Sequence, residues 1–437
     1  MMDKNNFIKG NFGISDKVLE LVDRAEQKIS AQFKRVEDIA QINQLKVMKA
    51  FCDNNISETH FTSTSGYGYD DIGRDTLDKV YAQSFGAEDA LVRYSFVNGT
   101  HALSTMLFGV LRPGDLLVAI TGKPYDTLEE VIGIAGNDGD GSLKDFGVDY
   151  KQVDLKENGQ PDYKKIKEVL SQNTVKAVMI QRSKGYGWRP TYSAEKIGEI
   201  ISFVKEISPN TICVVDNCYG EFVDTKEPTD FGADLMAGSL IKNPGGGIAP
   251  SGGYIAGKAK YVELCSYRFT SVGIGKECGA SLGINKVLYQ GLFLAPHIVS
   301  QAIKTALLCS AVFDELGYEV DPKPTEDRYD IIQSIKFGTP EGVIAFCQGI
   351  QKGSPVDSFV TPMPWDMPGY QDQVIMAAGA FIQGSSIELS ADGPIKPPYI
   401  AYMQGGLTYE SAKLGIMFAA QNVYENCLVN RKDIENG

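Results

Sequence analysis

Between residues 90 and 257 the chain alternates short, mainly apolar runs with longer stretches of mixed polarity. The runs lie at 90–94, 116–120, 176–181, 211–215, 235–240 and 253–257, and each is bounded by glycine, proline or polar residues. Apolar runs of this length between turn residues predict strands buried on both faces. The intervals 163–171 and 194–207 place apolar residues three and four apart among charges, which predicts helices with one buried stripe. Strands alternating with such helices predict a mainly parallel sheet covered on both sides. The run at 253–257 follows the one before it so closely that a short return hairpin is one reading there.

The flanks read differently. From 15 to 53, Val18, Leu19, Val22, Ile29, Phe33, Val36, Ile39, Ile42, Leu45 and Val47 recur at helical spacing, with an N-cap near Ser15 and Asp16. This arm has too narrow an apolar face to fold alone, so it packs on the body or on a partner subunit. Residues 62–74 form a loop of glycine, hydroxyl and tyrosine residues, followed by a helix carrying Leu77, Val80, Tyr81 and Phe85. A long helical stretch over 288–313 leads to a smaller α/β region. That region has strand-like pieces at 317–320, 331–336 and 386–390, and helices at 340–352 and 408–427. The division expected is an arm (1–55), a large domain (56–300) and a small C-terminal domain (301–437).

Composition narrows the function. The 437 residues are 43% hydrophobic and 22% charged, as in a soluble globular enzyme. A net charge of -13 argues against nucleic acid or an anionic membrane as partner. No apolar run approaches the roughly 20 residues of a membrane span, and the N-terminus lacks the apolar core of a signal peptide. Eight scattered cysteines without CxxC spacing predict free thiols and a cytoplasmic location. Three histidines leave little material for a metal site or a Ser-His-Asp triad. The chemistry therefore points to a borrowed electrophile.

A lysine near the end of an apolar run, in Gly238-Ser239-Leu240-Ile241-Lys242-Asn243-Pro244, suits Schiff-base chemistry, because burial favours its neutral amine. Pyridoxal phosphate (PLP) needs such a lysine, an anion for its ring nitrogen, a phosphate cup and a surface against the ring. Each has a candidate at a strand end. Asp216 precedes Lys242 by 26 residues and is the candidate anion, with Asn217, Tyr219 and Glu221 beside it. Tyr125 is placed to stack on the ring and Ser183 to bond its hydroxyl. Asn98, Gly99 and Thr100, where a helix opens, and Ser239 are candidates for the phosphate.

The run Tyr67-Gly68-Tyr69, followed by Gly73-Arg74-Asp75-Thr76-Leu77 and by residues 85–92, resembles the start of cystathionine lyases and methionine gamma-lyases. Residues 215–222, 238–247 and 273–277 resemble more closely the bacterial branch called methionine gamma-lyase family or aluminium resistance protein. The resemblance implies the aspartate-aminotransferase-like (fold type I) PLP-dependent α/β fold, with a mainly parallel sheet in the large domain. It implies a homodimer or homotetramer with active sites at the subunit interface, where Tyr67 and Tyr69 reach the neighbour's phosphate. It also implies that Lys242 binds the cofactor, Asp216 pairs with the ring nitrogen, Gly99 and Thr100 lie under the phosphate and Tyr125 stacks.

Two features depart from the family pattern. Tyr67-Gly68-Tyr69 lacks the arginine of the usual phosphate clamp, for which Arg74 is a substitute candidate. The substrate carboxylate has three candidate partners, Arg268, Arg328 and Arg431. The expected activity is that of a carbon–sulfur lyase acting on a small sulfur-containing amino acid of the cystathionine, methionine or cysteine type. Tyr67, Tyr69 or Tyr125 would assist the leaving group. The alternatives are another PLP reaction, such as transamination or aldol cleavage, or a PLP-binding protein with little turnover. A PLP-free nucleotide-binding protein ranks last, because the chain has no P-loop.

Overall fold

Seven strands of the middle of the chain join in one sheet: β1 (Asp89–Arg93), β2 (Leu116–Ala119), β3 (Asp149–Gln152), β4 (Ala177–Gln181), β5 (Ile212–Asp216), β6 (Leu235–Ser239) and β7 (Gly253–Gly257). The computed structural model describes residues 3–367 and 372–429. The strand order is β1-β7-β6-β5-β4-β2-β3. All pairs are parallel except those of β7, which runs antiparallel to both β6 and β1. The return hairpin is thus the arrangement found at β6 and β7. The sheet belongs to the unit Gln41–Pro296.

The apolar runs become strands because every residue of β2, β4, β5, β6 and β7 is buried. One face is covered by the helices Gly99–Val110 and Ala259–Phe269, whose Leu103, Met106, Val262 and Cys265 share a core with Leu117, Met179, Val214 and Ile255. Each such aliphatic side chain contributes roughly 1.5–3 kcal/mol. The helix Ala194–Ile207 buries Ile197, Ile200, Ile201 and Val204 and starts at Ser193, whose side chain accepts from Lys196 N–H. Strand β3 carries no apolar run. It is an edge strand, largely exposed, whose Asp149-Tyr150-Lys151-Gln152 pairs only with β2.

The second unit comprises Met1–Ala40 and His297–Gly437. Its sheet has β8 (Glu319–Asp321), β9 (Ile332–Lys336), β10 (Val374–Ala377), β11 (Ser390–Pro394) and β12 (Ile400–Gln404) in the order β10-β11-β12-β9-β8, antiparallel throughout. The helices Pro340–Lys352 and Tyr409–Val423 accompany it. The strand expected at 386–390 lies later, because Glu388 turns inward and accepts from Phe381 and Ile382 N–H at 2.8 and 2.9 Å, which fixes a turn there. The helical arm is divided between the units within the helix Ser30–Asp53. The helix Asn285–Glu315 likewise runs through the boundary at Pro296. By length and composition that helix could cross a membrane, contrary to the sequence expectation, but 72% of its apolar window is buried within protein.

Candidate active site

Parallel pairing in register sets Gln181 beside Asp216, and Asp216 beside Ala237. The carboxyl ends of β4, β5 and β6 therefore lie along one edge. Because β1 is antiparallel to β7, it runs parallel to β6 and ends at Arg93 on the same edge. From there the chain turns into the helix Gly99–Val110. Open parallel sheets bind ligands at this edge.

Lys242 follows β6 and enters a short turn through Pro244. Its Nζ lies 4.1 Å from the centre of the Tyr219 ring, a cation–π contact. Tyr219 reaches it from a left-handed backbone, φ +71°, which a tyrosine adopts only where surroundings impose it. Burial by itself pulls the amine toward its neutral form. However, Cys218, Tyr219, Tyr125 and the Asp216 carboxyl group surround it and together hold its proton well above the ordinary lysine range. Burial and these neighbours thus act on the Lys242 amine in opposite directions.

Asp216, the last residue of β5, is buried. Burial raises its carboxyl pKa, against the Cys218 N–H, the Lys242 charge, the Cys218 thiol and Arg189, which all favour the anion. Tyr125 stands at the start of the helix Asp126–Ile132. Its ring edge faces Gly185, where an added Cβ would come within 3.4 Å of Cδ2. Ser183 is buried just beyond β4, and its carbonyl accepts from Gln181 Nε2 at 3.1 Å and from Arg189.

At the helix opening, Asn98 spends its side chain on a cap, accepting from His101 N–H at 2.8 Å. Thr100 Oγ1 shares a 2.7 Å hydrogen bond with Thr127. Gly99 is backed by Ser239: an added Cβ would lie 3.3 Å from Ser239 Cβ and 3.6 Å from Cys218 Sγ. Ser239 Oγ is buried and has no hydrogen-bond partner. An unsatisfied hydroxyl next to a helix N-terminus is what a phosphate would complete. With the lysine and the buried carboxyl group in the same cluster, the residues fit PLP.

Beneath this edge lies a network that only the structure reveals. Arg182, fully buried, donates to Asn217 Oδ1 at 2.8 Å and to Glu227 Oε2 at 3.0 Å. Asn217 Nδ2 donates to Glu227 Oε2 at 3.1 Å and to Tyr254 OH at 3.2 Å. Tyr254 OH donates to Glu221 Oε1 at 2.8 Å. Burial pushes the Glu221 carboxyl group up to about 8. Arg182 and Glu227 had one visible sign in the sequence, charge abutting a buried strand and its turn.

Other expected site residues lie elsewhere. Tyr67 and Tyr69 stack on each other at 5.6 Å, are 73% and 60% exposed, and have no described contact with Lys242 in their own chain. Arg74 does not replace the missing clamp, because its guanidinium is buried and holds the carbonyls of Gly68 (2.7 Å) and Gly279 (2.8 Å). Arg268 is corrected as a carboxylate partner: its guanidinium lies 4.7 Å from the Phe108 ring centre. Phe108 is roughly 13 Å along its helix from Gly99. Arg328 is corrected too, because it is buried within the second unit and donates to Gln333. Arg431 lies outside the described residues.

The fold and this edge define the class: the architecture is that of fold type I PLP-dependent enzymes. The PLP-dependent protein YhfS of Escherichia coli shares it at a TM-score of 0.59 and 15% identity, over 88% of this chain and 96% of that one. Residues 18–424 match the family model described as methionine gamma-lyase, and the chain belongs to that family. It is 55% identical to YnbB of Bacillus subtilis (strain 168), over 92% of this chain and 96% of YnbB. It is 57% identical, with a TM-score of 0.93, to a carbon–sulfur lyase involved in aluminium resistance from Clostridium novyi NT, covering 97% of this chain and all of that one.

Proposed function

We propose that the protein is a carbon–sulfur lyase that uses PLP to act on a small sulfur-containing amino acid. The observation that carries this reading is the gathering of Lys242, Asp216, Tyr125 and the Gly99 helix opening at one edge of a buried parallel sheet. The Clostridium novyi relative, itself named a carbon–sulfur lyase, supports the choice of reaction. When bound, PLP supplies an electrophilic carbon for the substrate amine and an electron sink for the bond broken at Cα.

Lys242 would hold the cofactor, and its amine would take the Cα proton of the substrate. Asp216 would pair with the ring nitrogen and favour its protonated form. The N–H groups at Gly99 and Thr100, with Ser239 Oγ, hold the phosphate. Tyr125 would lie against the ring, and its phenol would supply a proton to the departing sulfur. The balance is amino acid plus water to thiol, 2-oxo acid and ammonia.

The exposed Tyr67 and Tyr69 lie on a loop joined to residues 279–282, through Gly279 N–H to Tyr67 O at 2.9 Å, next to the 64% exposed Leu282. This apolar surface suits a second copy of the chain in a homo-oligomer, where those tyrosines would serve the neighbouring site. None of the eight cysteines is in a disulfide, which suits a reducing compartment such as the cytoplasm.

The test is borohydride reduction of the PLP-loaded protein, with mass spectrometry expected to find the reduced cofactor on Lys242. Cystathionine, cysteine and methionine are then assayed for thiol and 2-oxo acid. A label on Lys276, or amine transfer without sulfur release, would reject the reading.

A further inference from the structure

We infer that Asn243 is a positioning residue for Lys242: its side chain ties the turn after the lysine to the turn that carries Tyr219, and so sets the amine over the Tyr219 ring. The inference deepens the PLP reading and rests on it for its purpose, although the tie itself is a property of the free chain. Asn243 is fully buried, and its Nδ2 donates to Glu221 O at 3.0 Å. Glu221 follows Tyr219 by two residues, and the Tyr219 ring centre lies 4.1 Å from Lys242 Nζ. Asn243 Oδ1 is buried with no hydrogen-bond partner among the described residues. A buried acceptor left unpaired is unfavourable, so the amide serves this place through its donor.

The other ties of the lysine turn are longer. Lys242 N–H reaches Ser239 O at 3.4 Å, and Lys242 O accepts from Gly245 N–H at 3.3 Å. Both exceed the usual length of roughly 2.9–3.0 Å. Pro244 O accepts from Tyr81 OH at 3.2 Å. Gly245 lies against Gly291, where an added Cβ would come within 2.5 Å of Gly245 O. These contacts fasten the far end of the turn to the protein body, and the Asn243 amide joins its near end to residues 217–223.

The anchor is rigid. Tyr254 OH donates to Glu221 Oε1 at 2.8 Å, Phe222 N–H donates to Glu227 Oε1 at 2.8 Å, and Asn43 Nδ2 donates to Phe222 O at 3.0 Å. A donor of fixed length on a fixed carbonyl determines where residue 243 stands, and with it the root of the neighbouring lysine side chain. Lysine has a flexible four-carbon stem, so the place of its amine depends on that root and on the ring that meets it. An amine that takes a proton from substrate loses rate steeply when it is displaced.

The test begins with the full-length chain free of cofactor, its lysines labelled with 13C at Cε. The Lys242 resonance is identified by its loss in K242A, and its ε-proton shift in Y219L marks the value without a ring beside it. N243L keeps the side-chain volume and removes the donor, and its Lys242 shift should move toward the Y219L value. The PLP-loaded protein is then assayed with whichever of cystathionine, cysteine and methionine the wild type turns over. There kcat of N243L per borohydride-fixed cofactor should fall about 10- to 100-fold, with KM little changed. A role in stability alone would lower the yield of folded protein and leave both readings at wild type. A well-folded N243L whose Lys242 shift matches wild type overturns the inference, as does a wild-type kcat per fixed cofactor. If the shift moves but the wild-type chain takes up no PLP or turns over none of the three, the tie stands and the proposed function falls. Should N243L lose its fold, N243A removes the donor without crowding and carries the same comparison.

Discussion

The two sheets treat strand ends in opposite ways. In the seven-stranded sheet, β4, β5 and β6 run the same way, so Gln181, Asp216 and Ser239 are delivered to one edge. In the five-stranded sheet every pair is antiparallel, and successive carboxyl ends fall on alternate edges. Two of its buried glutamines bond within the sheet: Gln404 Nε2 donates to Ser390 Oγ at 3.1 Å, and Gln333 Nε2 to Ser334 O at 2.9 Å. Parallel pairing collects chemistry at an edge, and antiparallel pairing disperses it. Lys242, Asp216 and Ser239 therefore share a site, whereas Arg328, on the chain leading to β9, is buried in the other unit and donates to Gln333.

Four changes would break or sharpen that contrast. K242A should abolish borohydride fixation and lower turnover by about 10³-fold or more, the scale of losing a nucleophile that also moves a proton. Residual turnover near wild type would dissolve the distinction between the two edges. R182L removes one partner of a fully buried ion pair and should destabilise the protein by about 3–5 kcal/mol in chemical denaturation. A loss under 1 kcal/mol would mean that the layer under the site is not held by this network.

Glu221 offers a pH test of the same layer. With its folded pKa near 8, above the 4.5 of an ordinary glutamate, the folded chain binds more protons than the unfolded chain between those values. Stability from this group is thus greatest at low pH and falls as pH rises through that window. E221Q should lack this decline, so the wild-type advantage over E221Q should shrink from pH 5 to pH 8 by up to a few kcal/mol. An unchanged difference across the window would place Glu221 in contact with water. The smallest effect belongs to the other sheet. R328Q should cost about 1–3 kcal/mol of stability and leave fixation at Lys242 intact. Lost substrate affinity in a well-folded R328Q would restore the role that its burial argues against.

Residues that act through their immediate chain context were readable in advance. The apolar runs marked β2, β4, β5, β6 and β7 because a strand covered on both faces must be apolar along its whole length. Strand β3 was invisible, since an exposed edge imposes no such demand. Asp216 and Lys242 stood out because each follows such a run. Arg182 and Glu227, 45 residues apart, and Asn217 and Tyr254, 37 apart, carry no local mark of their pairing.

The sequence by itself determined the layered α/β plan, the family and the pair Asp216 and Lys242, because hydrophobic periodicity and strand-end chemistry are written locally. Only the tertiary structure decided which arginines are committed elsewhere and that Arg182, Asn217, Glu227 and Tyr254 join in one buried network. Those depend on which groups face one another across the fold, and charge and hydrogen bonding act through space rather than along the chain.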